Sequence, residues 1–178
     1  MTRLPILLAC LLLALVAASC GGDDEQETAA TPEPTAEATP EAPGEIDPST
    51  ISKDLSEKPA VDKPDGTPPT ELVTEDIVKG KGKTAKAGDT VSMQYIGNAW
   101  STGGEFDASW NRGQPLEFPL GAGRVIPGWD QGIVGMKEGG RRLLVIPPDM
   151  AYGPQGSPPV IGPNETLVFV VDLAKVKG

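Results

Sequence analysis

Turn-forming residues punctuate residues 71–178 closely, so the apolar stretches between them are short and suit strands better than long helices. Arg142-Leu143-Leu144-Val145-Ile146 and Thr166-Leu167-Val168-Phe169-Val170-Val171 are nearly continuous apolar runs. Such runs belong to central strands covered on both faces. Val91, Met93 and Tyr95 alternate with Ser92 and Gln94, which predicts a half-buried strand with Tyr95 inward. Leu116-Glu117-Phe118 alternates too, and Glu71 to Val78 reads as a strand closed by Gly80-Lys81-Gly82. One helix stands out: Pro127 suits its first position, and Trp129, Ile133 and Met136 share a face. Gly128, Gly132 and Gly135 each weaken it by roughly 0.5–1 kcal/mol, so packing on the sheet must hold it. The expected fold is α+β, an antiparallel sheet of about five strands curled around one short helix.

At 178 residues the chain has room for one ordinary domain. The net charge of −10 divides unevenly, because residues 21–70 hold thirteen Asp/Glu against three Lys. Residues 71–178 hold twelve Asp/Glu and eleven Lys/Arg, so the acidity lies outside the folded part. With no basic face surviving that division, nucleic acid is not an expected partner. There is no histidine, and the two cysteines, Cys10 and Cys20, fall in the first twenty residues. A histidine-dependent triad, a cysteine nucleophile, a His/Cys metal site and a disulfide are therefore excluded from the domain, and no cofactor is expected. Catalysis there must use solvation, shape and hydrogen bonding.

Arg3 precedes an apolar run from Leu4 to Ala18, too short to span a membrane as a helix and typical of a signal peptide. Val16-Ala17-Ala18-Ser19-Cys20 resembles a bacterial lipobox, with Ala17 where Leu is usual. Two readings stand: lipidation at Cys20, or a plain secretory signal cleaved near Ala18. The acidic tract that begins right after Cys20 favours the first, which implies an extracytoplasmic domain on the cell membrane. Two acyl chains suffice for stable anchoring. Residues 21–58 are rich in Asp, Glu, Thr, Ala and Pro and are expected to form a disordered tether, either a working spacer or unconstrained low-complexity sequence. The domain is expected over 59–178, with its core at 72–176 and Pro59 to Pro69 as an extended arm.

Aromatic residues are scarce, and most fall in a few motifs: Tyr95, Phe106-Asp107, Val125-Ile126-Pro127-Gly128-Trp129, Ala151-Tyr152-Gly153 and Leu167-Val168-Phe169. Rings at punctuated positions suggest an apolar cavity, although each alone could fill a core. In this order, from about Leu72 to Val176, the motifs resemble the FK506-binding-protein (FKBP) family of peptidyl-prolyl cis-trans isomerases. The resemblance implies that Trp129 is a pocket floor under a proline ring. It implies walls from Tyr95, Phe106, Leu116, Val125, Ile126, Val160, Ile161 and Phe169, with Leu116 where an aromatic is common. Tyr152 would donate to a substrate carbonyl, and Asp107, with Arg112 beside it, would orient the pocket. Asp107, Tyr152, Phe106 and Trp129 are the expected catalytic set.

The implied activity is isomerisation of X–Pro bonds in exported or envelope proteins, and the implied ligands include macrolides of the FK506 type. Such a domain is expected to be a monomer. A non-catalytic module holding a proline-containing partner is the alternative. Trp100 has two readings as well, contact with clients or packing on a neighbouring strand.

Overall fold

The computed structural model describes residues 44–178, which fall within one compact unit. The signal segment, Cys20 and residues 21–43 of the expected tether lie outside the described residues.

Six strands form a curled antiparallel sheet: β1 Val73–Val78, β2 Thr90–Ala99, β3 Glu105–Ala108, β4 Leu116–Pro119, β5 Gly140–Ile146 and β6 Leu167–Lys177. The order is β1-β5-β6-β2-β3, with β4 also paired to β2. The two apolar runs are β5 and β6, adjacent and central, with Leu144 opposite Phe169. The two short strands β3 and β4 share β2: Gly97 faces Asp107, and Met93 faces Leu116.

Among the described residues there is one α-helix, α1 at Pro127–Gly132, and it packs on the concave face against β5. It is shorter than the expected apolar stripe: Ile133 caps it, and the chain turns through Gly135 at φ +86°. Trp129, Ile133 and Met136 are nonetheless all buried in one cluster with Val91, Met93, Tyr95, Phe118, Leu144 and Phe169. Close approach to β5 explains the glycine at 132, where a Cβ would lie 2.8 Å from Leu144 Cδ2.

The convex face is covered as well, and this corrects the expected tether boundary. Ile46 and Ile51 join Ile96, Trp100, Leu143, Val145, Val168 and Val170 in a second buried cluster, with Ile51 only 1% exposed. Residues 44–58 are thus packed on the sheet, so the domain extends upstream of Pro59. Arg141 fixes this segment. Its fully buried guanidinium pairs with Asp172 at 2.6 Å and donates to the carbonyls of Ser52 at 2.6 Å and Glu57 at 3.0 Å. The same cover makes β2 buried on both faces beyond Gln94, where alternation alone predicts one wet face. Trp100 packs: it is 5% exposed, and its indole N–H donates to Gly66 at 3.3 Å.

Candidate active site

A cavity of about 180 Å³ opens on the concave face, lined by Tyr95, Phe106, Asp107, Leu116, Arg124, Val125, Ile126, Trp129, Tyr152 and Phe169. Strand alternation delivers two of its rings. Tyr95 and Phe169 stand on the neighbouring strands β2 and β6, side chains inward. The indole of Trp129, in the first turn of α1, is edge-on to both, with centroids at 5.0 Å from Tyr95 and 5.2 Å from Phe169. Phe106, on β3, meets Phe169 edge to face at 5.6 Å. Such T-shaped contacts add about 0.5–1.5 kcal/mol each beyond burial and hold the rings at set angles. Gly97 makes room for two of them: a Cβ there would lie 2.7 Å from the rings of both Phe106 and Phe169.

One side of the cavity is polar. The Tyr95 hydroxyl donates to Asp107 Oδ2, and Arg112 donates to Asp107 Oδ1 at 2.5 Å and to the Tyr95 hydroxyl at 2.7 Å. Arg112 also lies over the Tyr95 ring at 5.5 Å, a cation–π distance. Burial acts to raise the Asp107 carboxyl, but hydrogen bonds from Tyr95 and Arg112 outweigh it and hold the group below its ordinary range. Burial raises the Tyr95 phenol, helped by the Asp107 carboxylate. Tyr152 is raised as well, by burial and by the charge of Asp107. Among the described residues no hydrogen-bond partner acts on the Tyr152 hydroxyl, which leaves it a neutral, free donor at the rim.

A second donor comes from the start of α1. Ile126 is the N-cap residue, and its carbonyl is taken by the N–H groups of Trp129 and Asp130 at 2.9 and 3.3 Å. Its own N–H precedes the helical ladder, and Ile126 lines the cavity. Asp130, on the same helix, accepts from Gly121 N–H at 2.8 Å and Gly123 N–H at 2.9 Å, which ties down the loop that carries Arg124.

Most of the residues expected in the site meet there, and three do not line it. Arg112 stands behind Asp107 and acts through it. Ile161 is held in a tight turn by mutual N–H to carbonyl bonds with Ser157 at 2.9 and 3.0 Å, and its side chain is turned into the core. Val160, at the tip of that turn, is 59% exposed. Arg124 is the lining residue that sequence reasoning missed. Its signal was an isolated charge directly before the apolar pair Val125-Ile126. Among the described residues no group of three or more His, Cys, Asp or Glu could hold a metal.

The family described as FKBP-type peptidyl-prolyl cis-trans isomerase matches residues 81–174, more than half of the chain. The chain belongs to the FKBP family. Relatives of this FKBP chain include an FK506-binding protein of Streptomyces anulatus, 60% identical over 121 residues, covering 67% of this chain and 98% of that protein. An FK506-binding protein of Neisseria meningitidis serogroup A is 49% identical over 106 residues, 59% of this chain and 95% of the relative. Among solved structures, AtFKBP13 superposes on the FKBP domain with a TM-score of 0.57 at 39% identity, covering 62% of this chain and 95% of its own. FkpA from Escherichia coli gives a TM-score of 0.55 at 48% identity, covering 61% of this chain and 49% of its own.

Proposed function

We propose that this FKBP domain is a peptidyl-prolyl cis-trans isomerase acting on exported or envelope proteins. The carrying observation is the cavity itself: rings around an indole floor, with free donors at its rim. An X–Pro amide turns over a barrier of ~18–20 kcal/mol, because its C–N bond is partly double. Twisting removes the resonance and the charge separation that goes with it, so an apolar site favours the twisted amide over the planar one. The Tyr152 hydroxyl and the Ile126 N–H supply hydrogen bonds to carbonyls flanking the turning bond. The ion-paired Asp107 fixes the Tyr95 wall against which the proline ring lies. Only interactions stronger in the twisted state than in the planar one accelerate the step, and no nucleophile or proton shuttle is needed.

A proline-limited refolding assay tests this reading, using residues 21–178 so that Ile46 and Ile51 stay in place. The slow phase should accelerate at substoichiometric protein, and Asp107→Leu should cut that acceleration about tenfold. If stoichiometric protein leaves the slow phase unchanged while still binding a proline peptide, the reaction belongs elsewhere and the pocket is a holding module.

The reading extends to a monomeric protein lipidated at Cys20 and held on the extracytoplasmic side of the membrane, with FK506-type macrolides as competitors for the cavity. The lipobox-like run before Cys20 and the acidic stretch after it support this. Palmitate labelling of the full chain, lost on Cys20→Ala, is the check. Labelling that survives the substitution would make it a freely secreted protein.

A further inference from the structure

Every lysine of residues 71–178 lies at one end of the domain. Lys79 follows β1, while Lys81, Lys83 and Lys86 occupy the β1–β2 loop. Lys137 sits in the turn leading to β5, and Lys175 and Lys177 close β6. The backbone binds these segments together. The N–H groups of Lys81 and Gly82 donate to the Glu138 carbonyl at 3.2 and 3.1 Å, the Glu138 N–H donates to Lys83 at 3.0 Å, and Thr90 pairs with Lys177. All seven lysines are exposed.

The carboxylates among them are Asp76, Asp89, Glu117 and Glu138, and each is engaged, Asp76 by Arg142 at 2.6 Å. Asp89 accepts from the Lys86 N–H at 3.0 Å, Glu117 from Lys177 Nζ at 2.7 Å, and Glu138 from the Val176 N–H at 2.5 Å. The near-neutral balance of residues 71–178 therefore conceals a segregated positive end.

That end lies along β2 and β6 from the rings of the cavity, and the Lys177–Glu117 pair comes nearest, one residue from Leu116 of the cavity wall. Tyr95 is five residues from Thr90 along β2, and Phe169 is eight residues before Lys177 along β6. At about 3.3 Å per residue the separations are roughly 16 and 26 Å. A partner held by the lysines leaves the site open.

We propose that the lysine end docks the domain on an anionic phospholipid surface. The exposed cations there are all lysines, strongly hydrated point charges without the planar fork that reads single phosphates. No exposed aromatic ring accompanies them, so the stacking platforms of RNA recognition are missing. Val134, 43% exposed, adds an apolar residue three positions before Lys137. A diffuse field of lysines beside one apolar side chain suits a charged, laterally mobile surface better than a shaped ligand. Each lysine near such a surface strengthens partitioning about fivefold, within a Debye length of about 10 Å at moderate salt. This surface is independent of the isomerase reading.

The test is sedimentation of residues 21–178, which keep the whole described fold, with vesicles of phosphatidylcholine alone or with one-third phosphatidylglycerol. Binding is expected only to the anionic vesicles at low salt, with release at high salt. Lys79→Ala/Lys81→Ala/Lys83→Ala/Lys137→Ala should weaken it by roughly a hundredfold or more, while the four Lys→Arg changes preserve it. Equal thermal midpoints separate this loss from unfolding, and the salt titration of the parent stands even if the alanine variant fails to fold. The proposal is overturned if the parent ignores anionic vesicles at low salt. It is equally overturned if the alanine variant partitions like the parent, or if single-stranded RNA binds more tightly than the vesicles.

Discussion

Replacing Ile51 by alanine tests whether the segment before Pro59 is part of the cooperative fold. Ile51 is 1% exposed and packs with Trp100, Leu143 and Val145 on the convex face, remote from the cavity. The substitution removes three carbons, about 2.4 kcal/mol at ~0.8 kcal/mol each, and a residual cavity adds to that. Release of the whole segment limits the loss, because the two Arg141 donors bound to Ser52 and Glu57 would then meet water. The expected destabilisation is therefore about 2–4 kcal/mol. For a domain of this size that lowers the thermal midpoint by about 4 °C per kcal/mol. Urea unfolding followed by tryptophan fluorescence reads it directly, since Trp100 lies in the same cluster. The exposed Lys53→Ala on the same segment should change nothing beyond about 0.5 kcal/mol. If Ile51→Ala also falls within that margin, residues 44–58 are a loose cover and the domain begins near Pro59 after all.

Four other outcomes follow from the geometry. Arg141→Met leaves Asp172 buried and unpaired, so it should destabilise by about 3–5 kcal/mol, with Arg141→Met/Asp172→Leu recovering most of that in thermal melts. Burial already acts to raise the Asp172 carboxyl, so the single variant's penalty should shrink as acid protonates the group. Gly97→Ala should push the Phe106 and Phe169 rings apart at a cost of about 1–3 kcal/mol and lower kcat/KM with it, measured by chevron analysis and refolding rates. Asp107→Leu should cut kcat/KM about tenfold, as one charge-assisted network is lost, with the far-ultraviolet spectrum unchanged. For pH, Asp107 is held below its ordinary value, so its stabilising contribution is complete above about pH 4 and disappears as pH falls through its folded value. Tyr152 is raised above its ordinary value, so it remains a donor past pH 9, and kcat/KM should be flat between about pH 5 and pH 9.

Much of the site was legible because its parts are local. Val125 to Trp129 is one turn and the start of one helix, so the wall, the donor at Ile126 and the floor arrive as consecutive residues. Phe106 and Asp107 are adjacent on β3 and both line the cavity, at a point where the β2–β3 register shifts. What could not be read was how the loop before β6 is folded back. Val160 and Ile161 are neighbours, yet the Ser157–Ile161 bridge sends one into the core and the other into solvent. Arg124 reaches the rim because Asp130 ties its loop to the helix, a contact seven residues away that no periodicity reveals.

Composition and pattern alone determined the fold and narrowed the chemistry. The absence of histidine and cysteine from residues 21–178 rules out a histidine-dependent triad and a thiol nucleophile there, and short alternating runs bounded by turns require an antiparallel sheet. Tertiary structure alone decided where the domain begins and where its charge resides. Ile46 and Ile51 sit in an acidic, proline-rich stretch that reads as solvated until the convex face of the sheet offers them a place to bury. Seven lysines scattered over a hundred residues become one surface only because β1, β2, β6 and the turn after α1 end side by side. Both outcomes depend on contacts between residues distant along the chain, and local propensity carries no record of those.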